Sequence, residues 1–400
     1  MRAAAGASRT RLPAGIWLLG FVSMLMDISS EMIHALLPVY LVTVLGASAL
    51  TVGVIEGVAE ATASITKVFS GALSDRLGRR KGLAVLGYAM AAFTKPVFPL
   101  APSVAWLMAA RFIDRVGKGI RGAPRDALLA DLAPPGLRGA SFGLRQALDT
   151  VGAFVGPLAA IALMWATGDA FRTVFWWAVL PAFLSVSLFA FAVREPPRAP
   201  DALAPVAQPL ARRELARLPR RYYGVVLLAA VFTLARFSEA FLILRAQGAG
   251  LPVTLVPLVL VVMNVVYALT AYPAGVLADR MDRVTLLAAG LVVLIGADLV
   301  LAWAPGLPAI ALGIVLWGLH MALTQGLLAA MVADSAPADL RGTAFGVFNL
   351  VSGVALLLAS VAAGALWDGL GPAATFIAGA GIAAATLLAL LTTRRRMGLA

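Results

Sequence analysis

The sequence predicts an all-α membrane protein in which twelve transmembrane helices form two six-helix bundles related by pseudo-symmetry. Three observations carry this expectation. Hydrophobic residues make up 61% of the 400 residues and charged residues 13%, with a mean hydropathy of +0.92, whereas a soluble domain carries about 25% charged residues. Gly, Pro and charge clusters cut the chain into twelve apolar stretches, and motifs of the first half recur in the second. The stretches are long enough to span as helices and lack the alternating ten-residue pattern of a β-barrel.

The segment MRAAAGASRTRLPAGIW sets two arginines before the first apolar run, in imitation of a signal peptide. No small-residue cleavage site follows, and the run continues through Asp27 and Glu31, so it is expected to be the first membrane helix. The spans lie near 15 to 45, 50 to 74, 82 to 100, 103 to 131, 137 to 166 and 172 to 193. Six more lie near 222 to 245, 252 to 278, 284 to 304, 306 to 334, 337 to 366 and 371 to 393. Residues 1–193 are thus one expected bundle and 222–400 the other, joined by a basic, proline-rich linker over 194–221.

The formal charge of +12 is not a nucleic-acid signature, because the basic residues sit in alternate short loops. They cluster at the N-terminus, at Arg76 to Lys81, at Arg138, in the linker, at Arg280 and Arg283, at Arg341 and at Arg394 to Arg396. The opposite loops hold Arg172 and Arg245. The positive-inside rule then places both termini in the cytoplasm, with the chain in the cell (inner) membrane. The absence of cysteine excludes disulfides and thiolate metal sites.

The halves repeat at an offset of about 203 residues: LLADLAPPGLRGASFG from Leu128 matches AMVADSAPADLRGTAFG from Ala330, and GALSDRLGRR at Gly71 matches GVLADRMDRV at Gly275. Two bundles in parallel orientation place a binding site near the midplane where they meet.

The fourth span sets seven charges in RFIDRVGKGIRGAPRD. At about 100° per residue, Arg111, Asp114, Arg115, Lys118, Arg121, Arg125 and Asp126 fall within an arc of roughly 140°, opposite Phe112, Ile113, Val116, Ile120 and Ala123. Facing lipid, at roughly 3 kcal/mol per charge, the stripe would cost about 20 kcal/mol. It is therefore expected to face water, ligand or partner charges inside the protein. Arg111 and Arg115, deeper in the span, are assigned to substrate or coupling, with Asp114 and Lys118 beside them. Arg121, Arg125 and Asp126 stand open between that role and internal pairing.

Asp27, Glu31 and His34, spaced i, i+4 and i+7, share one face of the first span with Ser30, and Glu56, Glu60 and Lys67 share one face of the second. Protonation and substrate can compete there for one arginine partner, and an unperturbed imidazole titrates near neutrality. His34 and, in the tenth span, His320 are candidates on that ground, against the alternative of hydrogen-bonded packing residues. Carboxylates with an imidazole are also donors for a divalent metal, but the neighbouring cations oppose one; no metal site and no cofactor is expected. Arg145 and Asp149, one turn apart, are a candidate coupling pair or a simple ion pair. Arg236 and Glu239 in the seventh span are expected to pair, and Asn264, Tyr267, Asp298, Gln325 and Asn349 are isolated polar positions.

GALSDRLGRRK, from Gly71 to Lys81, resembles the loop signature between the second and third helices of the major facilitator superfamily, and GVLADRMDR, with Asp279 and Arg280, is its degenerate copy. The resemblance covers essentially the whole chain. It implies the twelve-helix fold and secondary transport. In that loop Gly71 admits close helix approach, and Asp75 is suited to a gating charge relay. Arg76, Arg79 and Arg80 serve either the gate or topology at the anionic leaflet.

Arg111, followed by Gly117 and Gly119, is similar to the family's fourth-helix arginine, which the resemblance links to proton transfer in antiporters. Here Arg115 stands where the first glycine is usual, and Lys118, Arg121 and Arg125 are extra cations, which points to an anionic group on the solute. In the fifth span Gly152, Gly156 and Pro157 of DTVGAFVGPLAA resemble the exporters' antiporter motif.

No GxxxxGK[ST] loop occurs to drive transport with ATP, and with only two histidines, far apart, no catalytic set such as HExxH suggests an enzyme. The expected function is proton-coupled export of a small anionic or amphipathic solute by alternating access. A proton-coupled importer, a metal or siderophore transporter, and a non-transporting receptor or scaffold stay open at this level. The expected partners are the solute, protons and the lipid bilayer, with no nucleic acid, and the expected state is a monomer.

Overall fold

The computed structural model describes residues 12–77, 80–134, 137–195, 212–337 and 340–393, and every regular element among them is helical. The first half holds α1 (Ala14–His34), α2 (Leu37–Thr43), α3 (Ala49–Leu77), α4 (Arg80–Thr94), α5 (Val97–Leu100), α6 (Val104–Leu132), α7 (Arg138–Thr167) and α8 (Phe171–Ala192). After a short α9 (Arg212–Leu215), the second half holds α10 (Arg220–Leu234), α11 (Ala240–Gly248), α12 (Leu258–Arg280) and α13 (Arg283–Trp303). It ends with α14 (Leu307–Ser335), α15 (Arg341–Leu370) and α16 (Pro372–Thr393).

Ten helices, some of them joined pairs of these elements, are long and apolar enough to cross a membrane. The other two expected spans are present as helices but depart from the pattern for different reasons. In one, α6 carries the charge stripe. In the other, α10 and α11 are separated by Ala235 to Glu239, whose central Arg236, Phe237 and Ser238 have no regular structure. Backbone at membrane depth must find partners inside the protein: Ser238 N donates to Ser360 Oγ at 3.2 Å, and Ala240 N to Ser238 Oγ at 3.2 Å. Prolines explain two further interruptions. Pro38 opens α2 after the turn at Ala35 and Leu36, and Pro96 separates α4 from α5.

Within the first half, α1 packs on α7 and α8, and α6 on α3 and α4; within the second, α14 packs on α12 and α13, and α13 on α16. The repeat appears as matching ion pairs. Arg80 pairs with Asp131 and, 203 positions later, Arg283 pairs with Asp334. These pairs mark the basic face of the protein.

The halves meet along α3 with α15 and along α7 with α12. A Cβ on Gly364 would lie 2.6 Å from the Ala49 carbonyl oxygen, so only glycine permits this approach. One helical turn of α15 later, Asp368 accepts hydrogen bonds from Ala49 N at 3.0 Å and Leu50 N at 2.8 Å, capping α3 from the other half. Thr254 Oγ1 donates to Asp169 Oδ1 at 2.5 Å on the same face, opposite the basic one. Among the described residues, these are the hydrogen bonds that cross between the halves.

Candidate functional site

Between the halves lies a cavity of about 260 Å³. The first half lines it with Glu31 and His34 from α1, Glu56 and Glu60 from α3, and Arg111, Arg115 and Lys118 from α6. The second half contributes Arg236, Phe237, Ser238 and Glu239 from the break between α10 and α11, with Asn264 from α12. The charged arc of α6 thus faces inward, while Phe112 and Ile113 on the other side are 46% and 43% exposed on the outer, lipid-compatible surface.

Arg111 anchors the site. Its Nη2 lies 2.9 Å from Glu56 Oε2 and 2.8 Å from His34 Nδ1. An arginine only donates, so His34 Nδ1 accepts and its proton sits on Nε2. His34 Nδ1 also lies 3.6 Å from Glu56 Oε2. Glu56 Oε1 is buried without a hydrogen-bond partner, so this carboxylate keeps one acceptor free beside the arginine.

Arg115 Nη1 lies 3.4 Å from Glu60 Oε1, and its other edge is held from behind by Asp114, at 2.9 Å from Nε and 2.8 Å from Nη2. Asp114 in turn accepts from Lys95 Nζ at 2.9 Å, and Lys95 donates to Ser30 Oγ at 3.1 Å. Lys95 is 1% exposed and was not among the expected site residues. The available signal was a lysine beside a proline inside an apolar span. Asp114 is therefore not a chamber residue: it sits at the edge of the arc that meets α4, and packing absorbs it. Arg121, on the same edge, stacks over Tyr88 with its guanidinium carbon 4.8 Å from the ring centre.

A second cavity, of about 350 Å³, shares Glu31, Glu60, Lys118 and Ala153 with the first and extends it toward the basic face. It gathers Asp27, Lys67, Arg121, Arg125, Asp149 and Asn349. Arg125 bonds Asp126 at 3.0 Å and Ser23 Oγ at 2.8 Å, so its internal pairing is found. Arg145 pairs with Asp149 at 2.6 Å and reaches Asp126 at 3.8 Å.

Three expectations are corrected. Arg236 and Glu239 form no ion pair with each other among the described residues, because the chain between them is not helical and the i, i+3 spacing no longer stacks the side chains. His320 lies outside these cavities, fully buried, donating its Nδ1–H to Gly290 O at 2.9 Å and stacked on Phe232. It belongs to the packed core of the second half. At Gly71 an added Cβ would meet Ala123 at 3.4 Å, so no unusually close helix approach depends on that glycine. At Gly156, by contrast, it would lie 2.7 Å from Glu31 Cβ, and at Gly152 2.7 Å from Met24 O. Gly152 and Gly156 together let α7 lie directly against the proton-candidate face of α1, with Pro157 next in the helix. Arg79 lies outside the described residues, as do the side chains of Asp75, Arg76, Asp279 and Arg280. Among the described residues there is no group of three His, Cys, Asp or Glu placed to hold a metal ion.

The family model described as the Major Facilitator Superfamily matches residues 19–262 and 240–398. An uncharacterised MFS-type transporter of Methanocaldococcus jannaschii is 34% identical over 388 residues, covering 95% of each chain. The inner membrane transport protein YajR of Escherichia coli is 26% identical, covering 93% of this chain and 81% of its own. Among solved structures, a POT family transporter in complex with a thioalcohol-conjugated peptide superposes with a TM-score of 0.78 at 14% identity, covering 96% and 97% of the two chains.

Proposed function

The chain belongs to the major facilitator superfamily and is an integral membrane transporter; we propose that it has no enzymatic role and exports a small anionic or amphipathic solute in exchange for protons. The observation that carries this proposal is the chamber between the halves, where Arg111 is held jointly by Glu56 and His34 with one Glu56 oxygen left open. An anionic group that draws on Arg111 frees Glu56 and His34 to change protonation, so solute binding and proton binding act through one guanidinium.

In this proposal residues 1–193 and 222–400 rock as two bodies about the chamber, joined by 194–221. The basic face is cytoplasmic, both termini lie there, and the chain works as a monomer in the inner membrane. The contacts of Asp368 and Thr254 close the outer face, while the second cavity leads from the centre toward the cytoplasm. The antiporter-like pair Gly152 and Gly156 against α1 supports export.

Proteoliposomes with an imposed proton gradient test this. Solutes from an anionic and amphipathic library are expected to move against their own gradient in wild-type vesicles and not in Arg111→Ala vesicles. Movement that ignores the proton gradient contradicts the proposal.

A further inference from the structure

We infer that the solute is a zwitterion whose anionic and cationic groups are held between the two halves, by Lys118 or Arg236 on one side and Glu31 or Glu239 on the other. The inference rests on the transporter proposal above and narrows its solute. The four cations lining the central cavity are matched by four carboxylates, with His34 neutral. Two of each are committed to the pairs Arg111 with Glu56 and Arg115 with Glu60. Lys118, Arg236, Glu31 and Glu239 remain, and none of their side chains makes a hydrogen bond or ion pair among the described residues.

Each half therefore offers one open cation and one open carboxylate. Water solvates all four while the chamber is wet, but closing the halves over an unpaired ion is costly. A bare anion takes one cation and leaves two carboxylates to share the other, so one carboxylate has no match. A bare cation leaves one cation without a match in the same way. A solute carrying both groups takes one open cation and one open carboxylate at once and leaves one of each, so the charges stay matched.

Exchange with protons follows from the same geometry. The solute's ammonium group and a proton neutralise the same carboxylate, so one displaces the other. The charged groups facing Glu31 are Asp27 and His34 on its own helix and Arg115 and Lys118 on α6. Those facing Glu239 are Arg236 beside it, Glu56 and Glu60 on α3, and Lys118.

Three matched probe pools test the inference in proteoliposomes of the full chain under an imposed proton gradient: neutral-side-chain amino acids as zwitterions, their N-acetyl derivatives as anions and their amides as cations. Proton flux is read from an entrapped pH dye and binding from the unfolding temperature of the purified protein. The zwitterionic pool is expected to discharge the gradient and raise the unfolding temperature, and the other pools at equal concentration to do neither. Flux with the anionic pool alone overturns the inference and leaves the transporter proposal standing; no effect with any pool overturns the inference. Stabilisation by the zwitterionic pool without proton flux supports the inference and contradicts proton coupling. Glu239→Gln is expected to shift preference toward the N-acetyl pool by about thirtyfold or more, and an unchanged preference overturns the part assigned to Glu239.

Discussion

Lys95, in the turn between α4 and α5, and Asp114 of α6 meet 2.9 Å apart in a site where both side chains are almost wholly shielded, 2% and 1% exposed. The pair fixes the carboxylate that grips Arg115 from behind, so the orientation of a chamber cation is set outside the chamber.

Removing one partner of a buried pair leaves an uncompensated ion, which costs about 3–5 kcal/mol. Lys95→Met is expected to lower the unfolding temperature sharply in detergent. Lys95→Met combined with Asp114→Leu is expected to recover most of that loss, because no lone charge remains. A double variant as unstable as the single one would show that the pair is not the source.

The exposed pair of Arg283 with Asp334 gives the contrast, with side chains 41% and 51% exposed. Solvent screens such pairs to about 0–1 kcal/mol. Arg283→Ala is expected to leave the unfolding temperature nearly unchanged while Lys95→Met does not, in the same thermal scan.

Arg111→Lys keeps the charge but loses the fork that meets Glu56 and His34 together. Transport is expected to fall by about tenfold or more, roughly 1.4 kcal/mol or more, with insertion and expression intact. Normal transport by Arg111→Lys would show that a point charge suffices. Arg236→Ala is expected to change which solutes compete for transport, since Arg236 is an open cation of the second half.

Asp368 caps α3 across the halves on the face opposite the basic one, the face that the proposed transport cycle makes the outer closure. Losing a helix cap costs about 0.5–2 kcal/mol, a shift of about two- to thirtyfold between the two openings. The chain has no cysteine, so Asn264→Cys supplies a unique thiol in the chamber. In Asp368→Ala, labelling of that thiol by a membrane-impermeant maleimide added at the outer face is expected to speed up. An unchanged rate would remove Asp368 from the closure.

Much of the fold was legible in the sequence, because membrane spans declare themselves by length and hydropathy and the 203-residue repeat fixes two similar halves. The inward side of α6 followed from helical angles alone. What those angles do not contain is which neighbour lies against each edge of the arc. Asp114 therefore reads as a chamber residue, although Lys95 in the turn after α4 absorbs it, while Arg121, left open between two roles, stacks on Tyr88 of α4 at the edge of the second cavity. The break at Arg236 to Ser238 contains no proline or glycine to announce it. Its backbone is satisfied by Ser360 from a helix more than a hundred residues away. Asp368 was equally silent, since a carboxylate near a span end reads as a loop residue until the other half is brought to it.

The central claim is that the charged side of α6 borders a wet chamber reached from the basic face, and single-cysteine labelling along that helix tests it most directly. With a membrane-impermeant maleimide added on the basic face, Arg115→Cys, Lys118→Cys and Arg125→Cys are expected to react, and Phe112→Cys and Ile113→Cys to stay unlabelled. Labelling of the Phe112 and Ile113 positions with the other three protected would contradict the claim.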